Sequence, residues 1–260
     1  SINNLSGICG FIMDCPVINI NGVDIPFDPL WSKIAIAVSG GADSALLAFL
    51  LCNIIKEQNS STDVHIISNI RCWKTRPWQK DISQNVYDWL LKNFYSTITF
   101  RRHENFVPPE LEHGASGQTI VDEYGKLVSG DTLELRSFAE YVCVSNKIDA
   151  YYNAVTKNPP VNLPGALPAR DIIETEDNHK LALTKHLGIW AVHPFRFVDK
   201  AWIIKQYKYF NINELLNITR SCEGEFPGLD YTTYTSGQPV PTCGKCFWCL
   251  ERGWGIEQSK

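Results

Sequence analysis

A pair of glycines interrupts an apolar run near the start of the chain and leaves it few regular ways to fold. Residues 33–38 form a short apolar stretch, as expected of a buried strand. Residues 45–55 are apolar on nearly every face, as expected of a helix packed against a sheet. Between them lies Ser39-Gly40-Gly41-Ala42-Asp43-Ser44. The sequence therefore predicts a strand, a tight glycine turn and a helix, in that order.

The rest of the chain repeats this alternation. Further strands are predicted at 64–70, 96–100 and 150–155, with helices at 79–94 and 133–148. Strands separated by helices pair in parallel, so we expect an α/β protein with one parallel sheet and helices on both faces. Residues 17–25 contain an Asn-Gly turn between two apolar arms, which predicts a β-hairpin at the edge of the fold.

Composition excludes several classes of protein. The 260 residues are 44% hydrophobic and 20% charged, which excludes a disordered chain. A formal net charge of -4 gives no strong nucleic-acid signal, because coating nucleic acid needs clustered positive charge. The most apolar stretch, 34–51, is broken by the glycine loop, so we expect no membrane span. Since the N-terminus lacks the basic flank of a secretory signal, we expect a cytoplasmic protein.

The glycine loop has the properties of an anion site. Two glycines let the backbone approach a phosphate, and the amides of the following helical turn point at it with the helix dipole behind them. Ser39 and Ser44 can add hydroxyl donors, and Asp43 can hold Mg2+ or orient the loop. The alternative is an ordinary strand-to-helix turn in which Asp43 or Ser44 caps the helix. The loop lacks the Gly-Lys-Ser/Thr of a Walker A motif.

The cysteines indicate a metal site. Nine are present, and Cys243, Cys246 and Cys249 follow one another at two-residue spacing, with Cys222 as the nearest fourth. Four thiolates suit a tetrahedral structural Zn2+ with no open position. Unconnected or disulfide-linked thiols are one alternative, and a redox Cys-x-x-Cys pair is another that leaves a third thiol unexplained. A reducing cytoplasm fits this spacing better than a secreted disulfide scaffold.

The glycine loop resembles the signature of a known family. Ser-Gly-Gly-x-Asp-Ser after the first strand is typical of the PP-loop ATP pyrophosphatases, which cleave ATP between the α and β phosphates. The resemblance implies an adenine nucleotide alpha hydrolase-like fold, ATP and Mg2+ as cofactors, and adenylation of a substrate with release of pyrophosphate. The ATP-binding residues that it implies are Val38, Ser39, Gly40, Gly41, Ala42, Asp43 and Ser44.

The C-terminal cysteines narrow the resemblance. A Ser-Cys pair followed by Cys-Gly-Lys-Cys-x-x-Cys-x-x-Arg is similar to the 7-cyano-7-deazaguanine synthases of queuosine biosynthesis, over about residues 33–254. In that family the acyl adenylate of 7-carboxy-7-deazaguanine reacts with ammonia to give an amide, and a second ATP drives dehydration to the nitrile. The resemblance thus implies an ATP-dependent C–N ligase. The matching positions are Ser221, Cys222, Cys243, Gly244, Lys245, Cys246, Cys249 and Arg252.

Two further residues join Asp43 as catalytic candidates. Lys200 opens an apolar helix, where it could neutralise the leaving pyrophosphate or be a solvated lysine. Arg136 could hold a carboxylate substrate bidentately or be an ordinary arginine on a helix surface.

Departures from the family leave the acceptor open. Arg71-Cys72-Trp73-Lys74 stands where the family has Gly-Gln-Arg-His, and Ser137 replaces an asparagine. Some relatives linked to antiviral defence attach the deazaguanine to a protein amino terminus, so the expected partners are a small-molecule 7-deazaguanine and either ammonia or a protein amine. A tRNA thiolase would need a nucleophilic cysteine outside the zinc set, such as Cys72 or Cys143. A zinc-containing nucleic-acid-binding module is disfavoured by the acidic balance and the intact loop.

Together the motifs divide the chain into three predicted parts. These are an N-terminal hairpin extension at 1–32, a PP-loop ATP-binding domain at 33–214 and a small zinc-binding segment at 215–260. The sequence leaves homodimer formation open.

Overall fold

The computed structural model of the protein describes residues 15–72, 76–112, 119–121, 125, 127–166, 170, 182–183, 187–223, 235 and 242–260. The strands are β1 (Val17–Ile20), β2 (Val23–Pro26), β3 (Lys33–Ala37), β4 (Asp63–Ile70), β5 (Phe100–Phe106), β6 (Thr119–Val121), β7 (Leu127–Ser129), β8 (Ala150–Tyr152), β9 (Ala182–Leu183) and β10 (Trp190–Val192). The helices are α1 (Ala42–Glu57), α2 (Gln79–Phe94), α3 (Gly130–Asn146), α4 (Lys200–Tyr209), α5 (Asn213–Ile218) and α6 (Phe247–Gln258). Among the described helices, none combines the length and the apolar character that a membrane span requires.

Within the described residues, the central sheet has six strands in the order β5-β4-β3-β8-β10-β9. Its first five strands pair in parallel, and β9 runs antiparallel to β10 at one edge. The chain enters the sheet in the middle at β3, adds β4 and β5 on one side, and then adds β8 and β10 on the other. The strand order therefore reverses between β3 and β8, and in open α/β sheets the crevice at such a reversal is where ligands bind.

Alternate side chains of β3 face two separate hydrophobic cores. Ile34 and Ile36 belong to the larger core, which also contains side chains of α1, α2 and α4. Ala35 belongs to the smaller core, formed with α3 on the opposite face of the sheet. Because both faces are covered, β3 is a continuous apolar run without alternation. The prediction of a parallel sheet with helices on both faces is confirmed.

The predicted N-terminal hairpin is present, but it forms a two-stranded sheet of its own and not an edge of the central sheet. Asn21 and Gly22 have φ values of 49° and 84°, the left-handed pair that a tight hairpin turn requires. Ile25 and Phe27 are fully buried in the larger core. The hairpin thus covers one face of the domain, while the proposed domain boundaries stay a prediction.

The third strand of the sheet lies later in the chain than the sequence predicts. The expected strand at 96–100 is wrong, since the amides of Thr97 and Ile98 both donate to the carbonyl of Phe94 and close the end of α2. The strand β5 runs instead through charged residues such as Arg101 and Arg102. These side chains are partly or fully exposed because β5 is the edge strand, and an edge strand has no need of a continuous apolar sequence.

The helix α6 lies unusually close to the start of α4. A β-carbon built on Gly255 would lie 2.8 Å from Cγ of Lys200, and 3.0 Å from both its carbonyl carbon and its carbonyl oxygen. Contacts this short do not persist between real side chains and backbone, so the approach depends on a glycine. It fixes α6 against the first residue of α4.

We expect Gly255→Ala to lower the free energy of unfolding by about 1–3 kcal/mol, because the added methyl group overpacks this contact. Gly253→Ala is the matched control, since Gly253 lies on the same helix and has no atom within 4 Å of an added β-carbon. The control should be neutral or gain about 0.5–1 kcal/mol from its better helix propensity. Urea unfolding measures both, and equal effects of the two substitutions would contradict the close approach.

Candidate active site

The glycine loop lies at the carboxyl end of β3, where the strand order reverses. Gly40 has a φ of 88°, which L side chains rarely adopt. A β-carbon on Gly40 would also lie 2.9 Å from Cγ2 of Ile82 and 3.1 Å from the amide nitrogen of Ser83. Both the backbone conformation and the packing against α2 therefore require glycine at this position.

The N-cap residue of α1 is Gly41, and no side chain makes a capping hydrogen bond there. The alternative in which Asp43 or Ser44 caps the helix is therefore wrong. The Ser44 hydroxyl lies 3.4 Å from that of Ser39 and donates to the carbonyl of Gly41 at 3.2 Å. The first-turn amides of α1 have no acceptor within the helix, so they can donate to an anion together with these hydroxyls.

Two segments from outside the loop hold it in place. The amide of Arg220 donates to the carbonyl of Gly40 at 3.0 Å, and the Ser221 hydroxyl lies 3.1 Å from the position that a β-carbon of Gly41 would take. The buried side-chain amide of Gln79 donates to the carbonyl of Ser39 at 3.3 Å. Gln79 escaped the sequence analysis because nothing near it in the chain distinguishes it from any other helix-start residue.

Asp43 and Lys200 meet beside the uncapped end of α1. The Lys200 ammonium lies 2.6 Å from each carboxylate oxygen of Asp43. Asp43 is in the first turn of α1, and Lys200 is the first residue of α4, which is capped by the side chain of Asp199. The Lys200 side chain is 3% exposed, so the alternative of a solvated lysine is wrong.

Two residues that the sequence analysis missed complete a charged group around Lys200. Glu251 of α6 is fully buried, with Oε2 at 3.6 Å from the Lys200 ammonium. Its other oxygen accepts from the Arg170 guanidinium at 2.5 Å. Arg170 also lies over the rings of Phe247 and Trp248, with its guanidinium carbon 5.4 and 5.6 Å from the two ring centroids.

Arg136, the third catalytic candidate, lies on a different element. It is a partly buried residue of α3, the helix that packs on the other face of the sheet. The same helix reaches the carboxyl edge, because the side-chain amide of Asn105 near the end of β5 donates to Glu134 at 3.3 Å. A role of Arg136 in holding a substrate carboxylate at this edge stays a prediction.

The four predicted zinc ligands come together. Their Sγ atoms all lie within 4.8 Å of one another, with Cys243 and Cys249 3.9 Å apart and Cys222 and Cys246 4.0 Å apart. A tetrahedral ion with Zn–S bonds of about 2.3 Å holds its sulfurs about 3.8 Å apart, so the four thiols fit Zn2+. A [4Fe–4S] cluster bonds each of its four thiolates to a different iron and spreads the sulfurs further.

The backbone around Cys243 favours the thiolate form of this residue, whereas burial raises the pKa of the Cys249 thiol. Burial raises the pKa of the Cys243 thiol, but hydrogen bonds from the backbone of Lys245 and Cys246 outweigh it and bring the pKa to about 6. A thiolate is therefore available to a metal ion at neutral pH.

The cysteine cluster and the glycine loop share one segment of the chain. Cys222 follows the two residues, Arg220 and Ser221, that contact the loop. The cluster packs on Trp78 and Ile82, next to the loop at the start of α2. Arg252 of α6 donates to the hydroxyl of Thr219 at 2.9 Å. A metal ion that held the four thiols together would therefore fix the two segments that contact the loop, residues 219–222 and the start of α2.

The two cysteines that a thiolase would need are buried. Cys72 is 0% exposed and Cys143 is 3% exposed. Burial, with Glu112 near one thiol and Glu140 near the other, raises the pKa of each to about 12. Neither is a thiolate at neutral pH, so neither is prepared to act as a nucleophile. Trp73 and Lys74, which also depart from the family pattern, lie outside the described residues.

The chain matches no protein-family model and no curated protein. Among solved structures it is similar to the U34-tRNA thiolase NcsA from Methanococcus maripaludis, determined with its [4Fe-4S] cluster. The two chains are 12% identical with a TM-score of 0.42, and the similarity covers 87% of this chain. This chain spans 64% of the length of that protein.

We expect the wild-type protein, purified without chelator, to carry about one zinc ion per chain. Cys246→Ser should lose most of the zinc and melt at a lower temperature, because formation of such a site is coupled to folding. Cys52→Ala, in the middle of α1, is the control that should keep its metal. Elemental analysis and thermal melts test this. Iron in place of zinc, or full zinc occupancy in Cys246→Ser, would contradict the assignment.

At pH 8 we expect iodoacetamide to modify Cys72 and Cys143 at least ~100-fold more slowly in the folded protein than in urea. Alkylation requires the thiolate, and a pKa of about 12 leaves almost none at this pH. Peptide mass mapping over time gives the two rates. Rapid modification of either residue in the folded protein would make it a candidate nucleophile again.

Proposed function

We propose that this protein is an ATP-dependent adenylating enzyme of the PP-loop type. One observation carries the proposal: Asp43 and Lys200, 157 residues apart in sequence, meet at 2.6 Å beside the uncapped end of α1. They do so at the carboxyl edge of the sheet, where the strand order reverses. A carboxylate, an ammonium and unpaired amides at such an edge suit a metal-bound triphosphate.

The roles of the loop residues follow from their chemistry. The first-turn amides of α1 and the hydroxyls of Ser39 and Ser44 would donate to phosphate oxygens and orient the nucleotide. Lys200 would neutralise the charge that develops on pyrophosphate as the bond between the α phosphorus and the bridging oxygen breaks. Asp43 is the residue that would hold Mg2+, which offsets phosphate charge when bound. The substrate carboxylate would displace pyrophosphate and leave an acyl adenylate.

We propose 7-carboxy-7-deazaguanine as the substrate and ammonia as the acceptor. Support comes from the resemblance of the C-terminal cysteine pattern to that of this family and from the position of Ser221 beside the loop. Ammonia attack on the acyl adenylate would release AMP and form the amide, and a second round of activation would lead to the nitrile. A protein amine in place of ammonia would use the same acyl adenylate and give an amide-linked conjugate.

The direct test is incubation with ATP, Mg2+, 7-carboxy-7-deazaguanine and ammonium. Mass spectrometry follows the small molecules, and a parallel sample with a protein encoded next to this one follows conjugation. Amide or nitrile is the expected product, with release of pyrophosphate. Conjugate without free amide would replace ammonia by a protein amine as acceptor. If the protein bound ATP in none of these mixtures, the adenylating function itself would be contradicted.

We expect Asp43→Ala to lower substrate-dependent pyrophosphate release by at least ~100-fold, the scale on which loss of one electrostatic catalytic group acts. Asp88→Asn, at an exposed position of α2, is the control that should leave release unchanged. Circular dichroism establishes that both variants are folded. Undiminished release from folded Asp43→Ala would remove Asp43 from the mechanism.

A further inference from the structure

Lys200 lies between two carboxylates, of which the proposed reaction uses one. Its ammonium contacts Asp43 at 2.6 Å and lies 3.6 Å from Oε2 of Glu251. The Asp43 side chain is 21% exposed, whereas that of Glu251 is 0% exposed. Asp43 therefore faces the side from which a nucleotide arrives, and Glu251 lies on the protein side of the lysine.

One oxygen of Glu251 is fixed, and the other has no hydrogen bond from the described part of the chain. Oε1 accepts from Arg170 at 2.5 Å, while the buried Oε2 has no hydrogen-bond donor among the residues that the structure describes. An unsatisfied buried carboxylate oxygen is unfavourable. Oε2 is thus an acceptor suited to a nearby cation, and the Lys200 ammonium faces it.

Glu251 itself is held in place, so the lysine is the group that can move. Arg170 donates to the carbonyl and hydroxyl oxygens of Thr156 at 2.7 and 2.6 Å, and to the carbonyl of Lys157 at 2.8 Å. The backbone of α6 is fixed against α4 at Gly255. A shift of the Lys200 ammonium by about 1 Å would bring it to hydrogen-bond distance from Oε2.

We propose that Glu251 is a positioning residue for Lys200. When Asp43 binds nucleotide-bound Mg2+, Glu251 accepts a hydrogen bond from the Lys200 ammonium and keeps this ammonium beside the phosphates. This inference rests on the proposed function. Asp43 and Glu251 are the two carboxylates beside the Lys200 ammonium, while Arg170 pairs with Glu251 and Arg252 lies close enough to Asp43 to interact with it electrostatically. A divalent cation at Asp43 repels the ammonium beside it. Glu251 supplies the compensating charge that lets Lys200 leave Asp43 without leaving the site.

The test compares Glu251→Gln with Glu257→Gln by calorimetric titration of ATP, with and without Mg2+. The first substitution keeps the shape of the side chain and removes its charge, and the second makes the same change at an exposed position of α6. In the wild type and in Glu257→Gln, Mg2+ should strengthen ATP binding. In Glu251→Gln that gain should shrink about tenfold, because Lys200 stays on Asp43 and competes with the cation. Binding of ATP without Mg2+ should change much less.

Glu251→Asp is the second variant, because Glu251→Gln leaves the buried Arg170 without a charged partner and can destabilise the fold. It keeps the charge and withdraws the carboxylate from Lys200, so its gain from Mg2+ should lie between those of the wild type and Glu251→Gln. The 15N signal of the Lys200 ammonium gives a direct readout. It should shift on addition of ATP and Mg2+ to the wild type, and the part of this shift that depends on Mg2+ should be smaller in Glu251→Gln.

The outcomes separate the two proposals. If neither the wild type nor Glu257→Gln binds ATP, the proposed function is overturned. If the wild type binds ATP and folded Glu251→Gln keeps the full gain from Mg2+, the role of Glu251 alone is overturned. Should Glu251→Gln fail to fold, Glu251→Asp decides: a gain equal to that of the wild type overturns the role, and a reduced gain supports it.

Discussion

The contact between α4 and α6 at Gly255 sets the position of the charged groups beside the glycine loop. It places the backbone of Lys200 against α6, and α6 also carries Glu251 and Arg252. Glu251 and Arg170 form an ion pair in which both side chains are almost fully buried. Taking two charges out of water is costly unless their geometry is well defined. The close packing of the two helices supplies that definition, and the candidate site depends on it.

The parts of the protein that could be predicted from the sequence are those whose residues stand close together in the chain. The glycine loop and its two flanking elements are one continuous segment, so periodicity and loop chemistry identify all three. The cysteines at 243, 246 and 249 are likewise a local pattern, and Cys222 is the one ligand of the predicted site that lies further away in the sequence. Each of these two features predicts that particular groups lie close together, and distances in the structure can be compared with that prediction.

The parts that could not be predicted depend on contacts across long stretches of chain. Glu251 is one acidic residue in a mixed helix, and its partner Arg170 is 81 residues away in sequence. No local pattern marks either of them. The position of β5 could not be predicted for a different reason. A strand at the edge of a sheet can carry charged side chains, and these obscure the alternation of apolar and polar residues. In both cases the position of the residues in the folded protein, and not their local sequence, determines their role.

The location of Glu251 on α6 also has a consequence for the order in which the protein matures. In synthesis from the N-terminus, the sheet, the glycine loop and Lys200 all precede α6. At roughly 5–20 residues per second, a ribosome needs some seconds to travel from Lys200 to Glu251. During that interval Asp43 is the acidic partner already made for the lysine, while the second is still to come. The nascent domain can therefore assemble its sheet before its charged centre is complete, because Glu251 becomes available only when α6 is made.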